Sequence, residues 1–408
     1  MRNISSLVTV AGPAPRTGAA MRDLGLIANG ALAAQRGRLV FVGHERDLES
    51  AVSASSAQTI DAEGGAVMPG FVDPHTHLVF AGDRDDELRR RLAGVPYAQI
   101  AAEGGGIVRS VAGTRAASVE ELTAGLVGRL DELLRNGTTT AEVKSGYGLE
   151  TAAELRCLEA IRAANAAHPI DLVPTFLGAH EVPLEYRKKR ERYIEIVIRE
   201  MIPEVARRGL ARFCDVFCEK DVFSVAESRA ILEAASASGM ALRLHADELA
   251  NSGGAQLAAE LGARSADHLI HASQADCRAL AEASCAATLL PAAAFYLKLG
   301  RYAPARTLIE AGAAVALATD ANPGGGLSPS MPFAMTVACF GMGMALEEAL
   351  VAATINAAFS LDVHADVGSL EVGKRADCLV LRSPRLLDLL RVGSTGIRSV
   401  VKDGKVAI

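Results

Sequence analysis

The stretch Val67-Met68-Pro69-Gly70-Phe71-Val72-Asp73-Pro74-His75-Thr76-His77 decides the fold of this chain. Its apolar residues predict a buried strand, and two histidines one residue apart follow that strand. Because side chains on extended backbone alternate between faces, residues i and i+2 project the same way. His75 and His77 can therefore offer two imidazole nitrogens to one metal ion. A His-x-His pair alone is a weak signal, so the prediction depends on what ends the strands downstream.

Seven further apolar segments follow along the chain, most of them separated by stretches with helical periodicity. The stretch from Val119 to Arg135 carries a leucine at about every third or fourth position, which predicts a helix with one apolar face. Eight strands that alternate with helices or long loops are typical of a (β/α)₈ TIM barrel, an α/β fold. The strands are predicted at residues 66–73, 138–144, 170–176, 211–218, 241–245, 264–268, 286–290 and 313–319.

The two flanks of this region have a different pattern. Runs such as Arg38 to Gly43 and Asp377 to Leu381 are short and lie between turn residues, which predicts β-hairpins. We therefore expect a small composite β-sandwich domain built from residues 1–65 and 361–408. The barrel, residues 66–360, would be inserted between its two halves.

The composition argues against several classes of partner. The 408 residues carry a formal net charge of −6, which argues against a nucleic-acid partner or an anionic membrane surface. No apolar run reaches the ~18–20 residues of a membrane span, and the first residues lack the apolar core of a signal peptide. The seven cysteines include no Cys-x-x-Cys pair. Together these features predict a cytoplasmic protein.

Histidines and carboxylates gather where the predicted strands end, and catalytic residues of a TIM barrel lie at the C-terminal ends of its strands. His245 ends the fifth predicted strand, and Asp320 follows the eighth. With His75 and His77 they provide three nitrogens and one oxygen for a single divalent metal, with room left for water. Such an open set suits a catalytic zinc or iron ion (Zn²⁺, Fe²⁺ or Fe³⁺), one per subunit.

Glu248 and His268 are the candidates for acid–base chemistry beside that ion. Glu248 follows His245 by three residues, close enough for its carboxylate to take a proton from water held at the ion. It would then pass that proton to a leaving nitrogen. His268, at the end of the sixth predicted strand, would orient the attacking water or hold the developing oxyanion. The alternative role for His268 is that of a fifth metal ligand.

Longer motifs accompany these residues and cover nearly the whole chain. They are Asp73-Pro74-His75-Thr76-His77-Leu78-Val79-Phe80-Ala81-Gly82-Asp83-Arg84, Glu103-Gly104-Gly105-Gly106-Ile107, Glu142-Val143-Lys144-Ser145-Gly146-Tyr147-Gly148-Leu149, Thr175-Phe176-Leu177-Gly178-Ala179-His180, Phe213-Cys214-Asp215-Val216-Phe217-Cys218-Glu219, Leu244-His245-Ala246-Asp247-Glu248 and Thr319-Asp320-Ala321-Asn322-Pro323-Gly324. Through them the chain resembles the amidohydrolase superfamily and, within it, the imidazolonepropionase family. His-x-His is common across the superfamily, whereas the Lys-Ser-Gly-Tyr-Gly and Asn-Pro-Gly segments together are specific.

The resemblance implies that water opens the ring of 4-imidazolone-5-propanoate at its cyclic amide to give N-formimidoyl-L-glutamate, the third step of histidine degradation. Arg84 would bind the propionate carboxylate as a fork, while Tyr147 and His180 would contact the ring. Relatives are often dimers, so a homodimer is expected. The implied substrate-binding residues are Arg84, Tyr147, His180, Glu248, Asn322 and Gly324.

The chain departs from the family pattern beside the last of these motifs. Gly325 and Gly326 stand where the family usually has a serine or threonine, and Ala321 replaces a typical phenylalanine. One hydroxyl contact to substrate is therefore expected to be replaced by backbone amides or an ordered water.

Lys144 bears on the number of metal ions. Some relatives carbamylate a lysine on the fourth strand so that it bridges two metals. Lys144 lies on the second predicted strand, and the fourth offers no lysine before Glu219. One metal ion is therefore expected, with Lys144 structural or beside the substrate.

Two other functions fit the same residues. A deaminase acting on a purine or pyrimidine would use the same metal set and Glu248, although Arg84, Tyr147 and His180 suit a small carboxylated ring better. A non-catalytic barrel that serves as a scaffold is the other alternative. Such proteins usually lose metal ligands, whereas this chain has all four and the proton carrier.

Overall fold

A computed structural model of the chain describes residues 1–53, 57–95, 99–100, 103–391, 393 and 396–408. Its strands are β1 (Ile4–Val8), β2 (Leu26–Gln35), β3 (Arg38–His44), β4 (Ala66–Pro69), β5 (Phe71–Asp73), β6 (Thr138–Lys144), β7 (Asp171–Ala179), β8 (Phe213–Cys218), β9 (Ala241–Ala246), β10 (Ser265–His268), β11 (Ala286–Leu289), β12 (Val315–Leu317), β13 (Cys378–Leu381), β14 (Ile397–Lys402) and β15 (Lys405–Val406).

The α-helices are α1 (Leu48–Ala51), α2 (Asp85–Leu92), α3 (Ile107–Ala116), α4 (Val119–Arg135), α5 (Thr151–Ala167), α6 (Arg190–Ile196), α7 (Ile202–Arg208), α8 (Val225–Ala237), α9 (Gly254–Glu260), α10 (Gln274–Glu282), α11 (Pro291–Tyr296), α12 (Ala305–Glu310), α13 (Met331–Met342), α14 (Leu346–Ala352) and α15 (Ile355–Ser360). A π-helical turn, Val197–Met201, joins α6 to α7. Within the described ranges, no helix combines the length and the apolar character needed to cross a bilayer.

In the described part of the chain, eight parallel strands, β5 to β12, stand side by side in sequence order. Main-chain hydrogen bonds join the segments that directly follow the first and the last strand: the Asp320 N–H donates to His75 O (3.1 Å) and the His77 N–H donates to Ala321 O (2.9 Å). The Thr319 hydroxyl also donates to Asp73 (2.5 Å) across this seam. The predicted α/β fold, a (β/α)₈ barrel, is confirmed.

The helices pack outside the barrel with their apolar faces inward, and α4 shows how the sequence specifies this. Ser118 and Glu121 form a capping box that satisfies two backbone amides at the start of the helix. The leucines that predicted one apolar face, Leu122, Leu126, Leu130 and Leu133, are buried. Polar residues occupy the opposite face, so the helix follows the predicted pattern from its first residue to its last.

The stretch 66–73, predicted as one strand, is two strands that belong to different sheets. β4 pairs with β1 and β13, whereas β5 pairs with β6 in the barrel. Gly70 lies at the crossing, where a Cβ would stand 2.3 Å from Thr139 Oγ1 and 2.9 Å from Thr139 Cβ. A continuous apolar run cannot reveal such a crossing, because both halves are buried.

The terminal segments form one mixed sheet in the described part of the chain, with strand order β15-β14-β13-β4-β1-β2-β3. Its strands share a small apolar core that includes Leu7, Leu32, Val67 and Val380. The Leu39 N–H also donates to Lys374 O (2.9 Å), so the edge strand β3 is bonded to the segment that precedes β13. Sheet pairing does not divide a chain into domains, and the predicted division (1–65 and 361–408 against 66–360) stays a prediction.

We expect Gly70→Ala to lower the free energy of unfolding by about 1–3 kcal/mol, because the added methyl group overlaps the Thr139 side chain of the neighbouring strand β6. Thermal unfolding at a fixed scan rate measures this as a lower midpoint. The matched control is Gly128→Ala on the exposed face of α4, where a Cβ meets nothing. That change should be neutral or stabilise by up to ~1 kcal/mol. Equal midpoints for Gly70→Ala and the unaltered protein would contradict the crowding argument.

Candidate active site

Three histidine side chains meet at the C-terminal mouth of the barrel. His75 and His77 follow β5 and His245 lies within β9, and all three are buried. The Nε2 atom of His77 lies 3.2 Å from Nε2 of His75 and 3.2 Å from Nε2 of His245. Two nitrogens bound about 2.0 Å from a tetrahedral zinc ion lie about 3.3 Å apart. The three nitrogens therefore have the spacing of metal ligands.

Buried carboxylates determine which nitrogen of two of these rings faces the centre. His75 Nδ1 donates to Asp267 Oδ2 (2.6 Å), and His245 Nδ1 lies 3.0 Å from Asp215 Oδ2. A hydrogen on each Nδ1 leaves each Nε2 with a lone pair. Burial and the nearby Lys144 charge hold the pKa of His75 well below its usual range, so the ring stays neutral.

Asp320, which was predicted to complete this set, lies beside the three histidines. Its Oδ1 lies 3.7 Å from His75 Nε2 and 3.6 Å from His77 Nε2. The atom is buried and has no hydrogen-bond donor among the described residues. Burial raises the pKa of this carboxyl group to about 7. Lone pairs that converge without a donor are expected to repel unless a cation lies between them, so the residues fit a divalent metal.

Lys144 lies in the barrel interior beneath the histidines. Its Nζ is 2.7 Å from Glu142 Oε1 and 2.8 Å from Asp215 Oδ2, and it is fully buried. Asp267, the partner of His75, also accepts from Arg243 Nη2 (3.0 Å). Lys144 is therefore a structural residue. Its charge keeps the carboxylate of Asp215 ionised, and Asp215 is one of the two acids that orient these histidine rings.

Glu248 and His268 face each other beside the histidines. Glu248 Oε1 lies 3.7 Å from His268 Nδ1, and the His268 ring centre is 5.2 Å from that of His245. Burial, together with the negative charges of Asp320 and Glu219, raises the pKa of Glu248 to about 8. A cation at the histidines would favour the ionised carboxylate and lower this pKa again. Glu248 is thus placed to gain and lose a proton near neutral pH.

The backbone is strained where these strands end. Asp247, His268 and Asp320 have φ angles of 53°, 75° and 52°, in the left-handed region that costs a residue with a side chain ~1–3 kcal/mol. At Asp247 the side chain offsets this cost, since its Oδ1 accepts from the amides of Ser252 (2.7 Å) and Gly253 (3.0 Å). Such sharp turns aim the strand-end side chains into the mouth of the barrel.

A cavity of about 330 Å³ opens above the histidines, a size that suits a small molecule. Its wall joins the predicted residues to apolar side chains from the rim loops. The lining residues are His77, Arg84, Ile107, Tyr147, His180, Phe217, His245, Glu248, Leu249, His268, Leu297, Leu299, Asp320, Asn322 and Gly325.

Arg84 is buried in the wall of this cavity, although its neighbours in sequence are charged and exposed. Its Nε and Nη2 atoms each lie 2.8 Å from Glu87 Oε2, and Glu87 Oε1 accepts from the Gly106 amide (3.0 Å). Glu87 thus holds one edge of the guanidinium against the glycine-rich turn that starts α3. A buried, oriented guanidinium is suited to a planar anion such as a carboxylate.

Tyr147 and His180 form the aromatic side of the cavity. The His180 ring stacks on His77 with centres 5.0 Å apart and an angle of 20°, and Tyr147 meets the His180 ring edge-on. His180 Nδ1 donates to Gly146 O (2.9 Å), which fixes the ring. Burial lowers the pKa of His180 to about 3, so it stays neutral. A flat ring can pack against this surface.

The structure gives Asn322 and Gly324 places in a tight loop after Asp320. Asn322 Nδ2 donates to Asp320 O (2.7 Å), and its Oδ1 accepts from the amides of Gly324 (2.8 Å) and Gly325 (2.6 Å). A Cβ on Gly324 would stand 2.1 Å from Arg84 Nη1, so the glycine makes room for that side chain. Asn322 and Gly325 line the cavity, and direct contact of Asn322 and Gly324 with substrate stays a prediction.

Several residues around the site were not predicted from the sequence. They are acidic residues that contact the predicted ones or their neighbours in sequence: Asp215 contacts His245, Asp267 contacts His75, Glu87 contacts Arg84, and Glu219 accepts from the amide of Leu249. One signal could have identified Asp215 and Asp267: burial of a carboxylate inside an apolar strand costs free energy unless the carboxylate has a partner. The apolar rim residues, among them Leu297, carry no pattern that separates them from ordinary core positions.

Solved structures with this fold include several deaminases. Escherichia coli guanine deaminase superimposes with a TM-score of 0.77 at 17% identity, covering 99% of this chain and 97% of that one. An adenosine deaminase from Xanthomonas campestris with bound zinc gives 0.73 at 19% identity, covering 99% of this chain and 91% of that one. At such low identity the likeness shows the fold alone.

Comparison of sequences is more specific. The model of the amidohydrolase family matches residues 66–407. The imidazolonepropionase of Symbiobacterium thermophilum is 53% identical over 98% of this chain and 95% of its own length. That of Alkaliphilus metalliredigens is 47% identical over 100% of this chain and 97% of its own length. The chain therefore belongs to the amidohydrolase family and, within it, to the imidazolonepropionases.

Proposed function

We propose that this enzyme hydrolyses the cyclic amide of 4-imidazolone-5-propanoate to N-formimidoyl-L-glutamate, as the third step of histidine degradation. One observation carries the proposal: three histidine nitrogens have the spacing of metal ligands, and two of these histidines, His77 and His245, line a cavity of about 330 Å³ together with the buried Arg84. The histidine nitrogens suit a metal ion that activates water, and the guanidinium suits a carboxylate. Hydrolysis of this substrate needs an activated water, and the substrate carries a carboxylate.

The metal centre would hold one zinc or iron ion through His75, His77, His245 and Asp320. When bound, such an ion polarises a carbonyl group and lowers the pKa of water towards ~7. The carboxylates behind His75 and His245 would keep both rings in the metal-binding tautomer. Lys144 is paired with Glu142 and Asp215, so it is protonated and does not bridge a second metal.

Glu248 would carry the proton through the reaction. It accepts a proton from the attacking water as the water oxygen bonds to the carbonyl carbon. The same carboxyl group then donates that proton to the ring nitrogen as the carbon–nitrogen bond breaks. His268, which lies beside Glu248, would stabilise the negative charge that develops on the carbonyl oxygen. One water molecule is consumed, and every atom of the organic substrate stays in the product.

Substrate orientation would come from three other residues that line the same cavity. Arg84 binds the propionate carboxylate, with its guanidinium held by Glu87. Tyr147 and His180 pack against the imidazolone ring. This arrangement favours a small carboxylated ring over a nucleobase, and the solved deaminases resemble this chain in fold alone. The expected homodimer and the cytoplasmic location remain part of the proposal.

Removal of the metal should abolish turnover, because the four ligands then have no cation to activate water. Dialysis against a chelator tests this, and zinc or ferrous iron should restore activity. His245→Ala should bind well below one ion per subunit, while His44→Ala, an exposed histidine far from the site, keeps the full content. An anomalous-scattering map that shows two ions about 3.5 Å apart would contradict the single-metal centre.

Glu248→Gln should keep its metal and lose about 10²–10⁴-fold in kcat, because an amide cannot accept and return a proton. Steady-state kinetics with 4-imidazolone-5-propanoate, together with metal analysis, provide the measurement. Glu282→Gln makes the same chemical change at an exposed position on α10 and should match the unaltered enzyme. Normal turnover by Glu248→Gln would show that another group carries the proton.

Arg84→Ala should raise KM by about 10–10²-fold with a much smaller effect on kcat, since a hydrogen bond to a charged group contributes about 1.5–3 kcal/mol. The matched control is Arg89→Ala, an exposed arginine on α2, the helix that begins directly after Arg84. A fall in kcat at constant KM would instead place Arg84 in the chemical step and argue against carboxylate binding.

A further inference from the structure

We propose that Glu219 is a positioning residue for Glu248, because its carboxylate fixes the peptide that follows the proton carrier. The inference rests on the proposed function, which gives Glu248 its role. Glu219 directly follows β8 and is buried, with 1% of its surface exposed. The proposed metal centre does not explain why an acid stands at this position, because Glu219 is not among the described residues that line the cavity.

The contacts of Glu219 reach the chain on the far side of Glu248. Oε2 accepts from the amide of Leu249 (2.7 Å), which belongs to the peptide that joins Glu248 to Leu249. Oε1 accepts from the hydroxyl of Ser252 (2.5 Å) and from the amide of Lys220 (2.8 Å). Glu219 therefore sets the plane of that peptide and, with it, the direction in which the Glu248 side chain leaves the backbone.

Asp247 fixes the same segment from the other side. Its Oδ1 accepts from the amides of Ser252 (2.7 Å) and Gly253 (3.0 Å), and its Oδ2 accepts from the amide of Ala255 (3.0 Å) at the start of α9. Glu248 thus lies between two residues that are tied to the fold. Because Ser252 binds both Asp247 and Glu219, the two sets of contacts form one continuous clamp, defined here as Glu219, Asp247 and Ser252.

The donors around Glu219 explain why a carboxylate stands there. Three hydrogens point at its two oxygens, and a carboxylate accepts all of them, whereas an amide would turn its own N–H₂ towards one donor. Among the described residues, the hydrogen-bond donors to its side chain are two amides and one hydroxyl, none of them cationic. A buried acid without a cationic partner is costly, which argues that the site retains Glu219 for position rather than for stability.

The same loop offers a matched control on its outer side. Asn251 Nδ2 donates to Asp276 Oδ2 (2.8 Å) and to His271 O (3.1 Å). These bonds tie the loop to the start of α10 without contact to Glu219 or to the peptide after Glu248. Asn251→Ala therefore removes contacts of this loop outside the clamp. Glu219→Gln and Ser252→Ala remove contacts within the clamp.

The test is a double-mutant cycle with 4-imidazolone-5-propanoate as substrate. Glu219→Gln should lower kcat by about 10–10²-fold with KM within a few-fold, because an ~1 Å misplacement of a catalytic group has an effect of this size. In the Glu248→Gln background the same change should have almost no further effect. Ser252→Ala should show a smaller loss that Ser252→Thr restores, and Asn251→Ala should keep the kcat of the unaltered enzyme. Metal content should stay unchanged throughout.

Equal losses from Glu219→Gln in both backgrounds would overturn the inference, as would an unchanged kcat or a loss of metal. If Glu219→Gln does not fold, the double-mutant cycle with Glu248→Gln is carried out with Ser252→Ala and Ser252→Thr instead. The proposed function fails in a different way: the unaltered enzyme would then not hydrolyse the substrate, or Glu248→Gln would turn over normally.

Discussion

Closure of the barrel at one seam is the constraint on which the rest of the structure depends. Two main-chain hydrogen bonds join the segments that directly follow β5 and β12, and the residues that make them include His75, His77 and Asp320. The backbone that completes the fold is thus the backbone that carries three of the four proposed metal ligands. A change that opened this seam would separate the ligands, so stability and chemistry share the same bonds.

Behind the ligands, the barrel interior is ionic rather than apolar. Lys144 and Arg243 are fully buried and face three buried carboxylates, two of which hold the rings of His75 and His245. Charges in such surroundings are costly unless every one is paired. The pairing orients the rings of His75 and His245, while Asp320 Oδ1 has no hydrogen-bond donor among the described residues. The lone pairs of this oxygen and of the three histidine nitrogens therefore lie close together at the mouth of the barrel.

Much of this arrangement could be predicted from the sequence. Apolar runs of strand length gave all eight barrel strands, because parallel strands are buried on both faces, and the strand-end rule placed His75, His245, Glu248 and Asp320 together. Residues that support the site through hydrogen bonds, without lining the cavity, were harder to predict. Glu87 and Glu219 are ordinary acids in sequence, and only the fold shows which amides they accept from. The crossing at Gly70 was missed because burial is the same on both sides of it.

The crossing at Gly70 has a consequence for how the enzyme can move. Domain closure around a ligand needs a hinge, a few residues whose backbone angles are free to change. Here one glycine separates a strand of the terminal sheet from the strand that precedes the metal ligands, and its amide is bonded to Asp377. Such a short and tied connection leaves little freedom for the terminal sheet to swing as a lid. Admission of substrate is then left to the loops on the opposite rim.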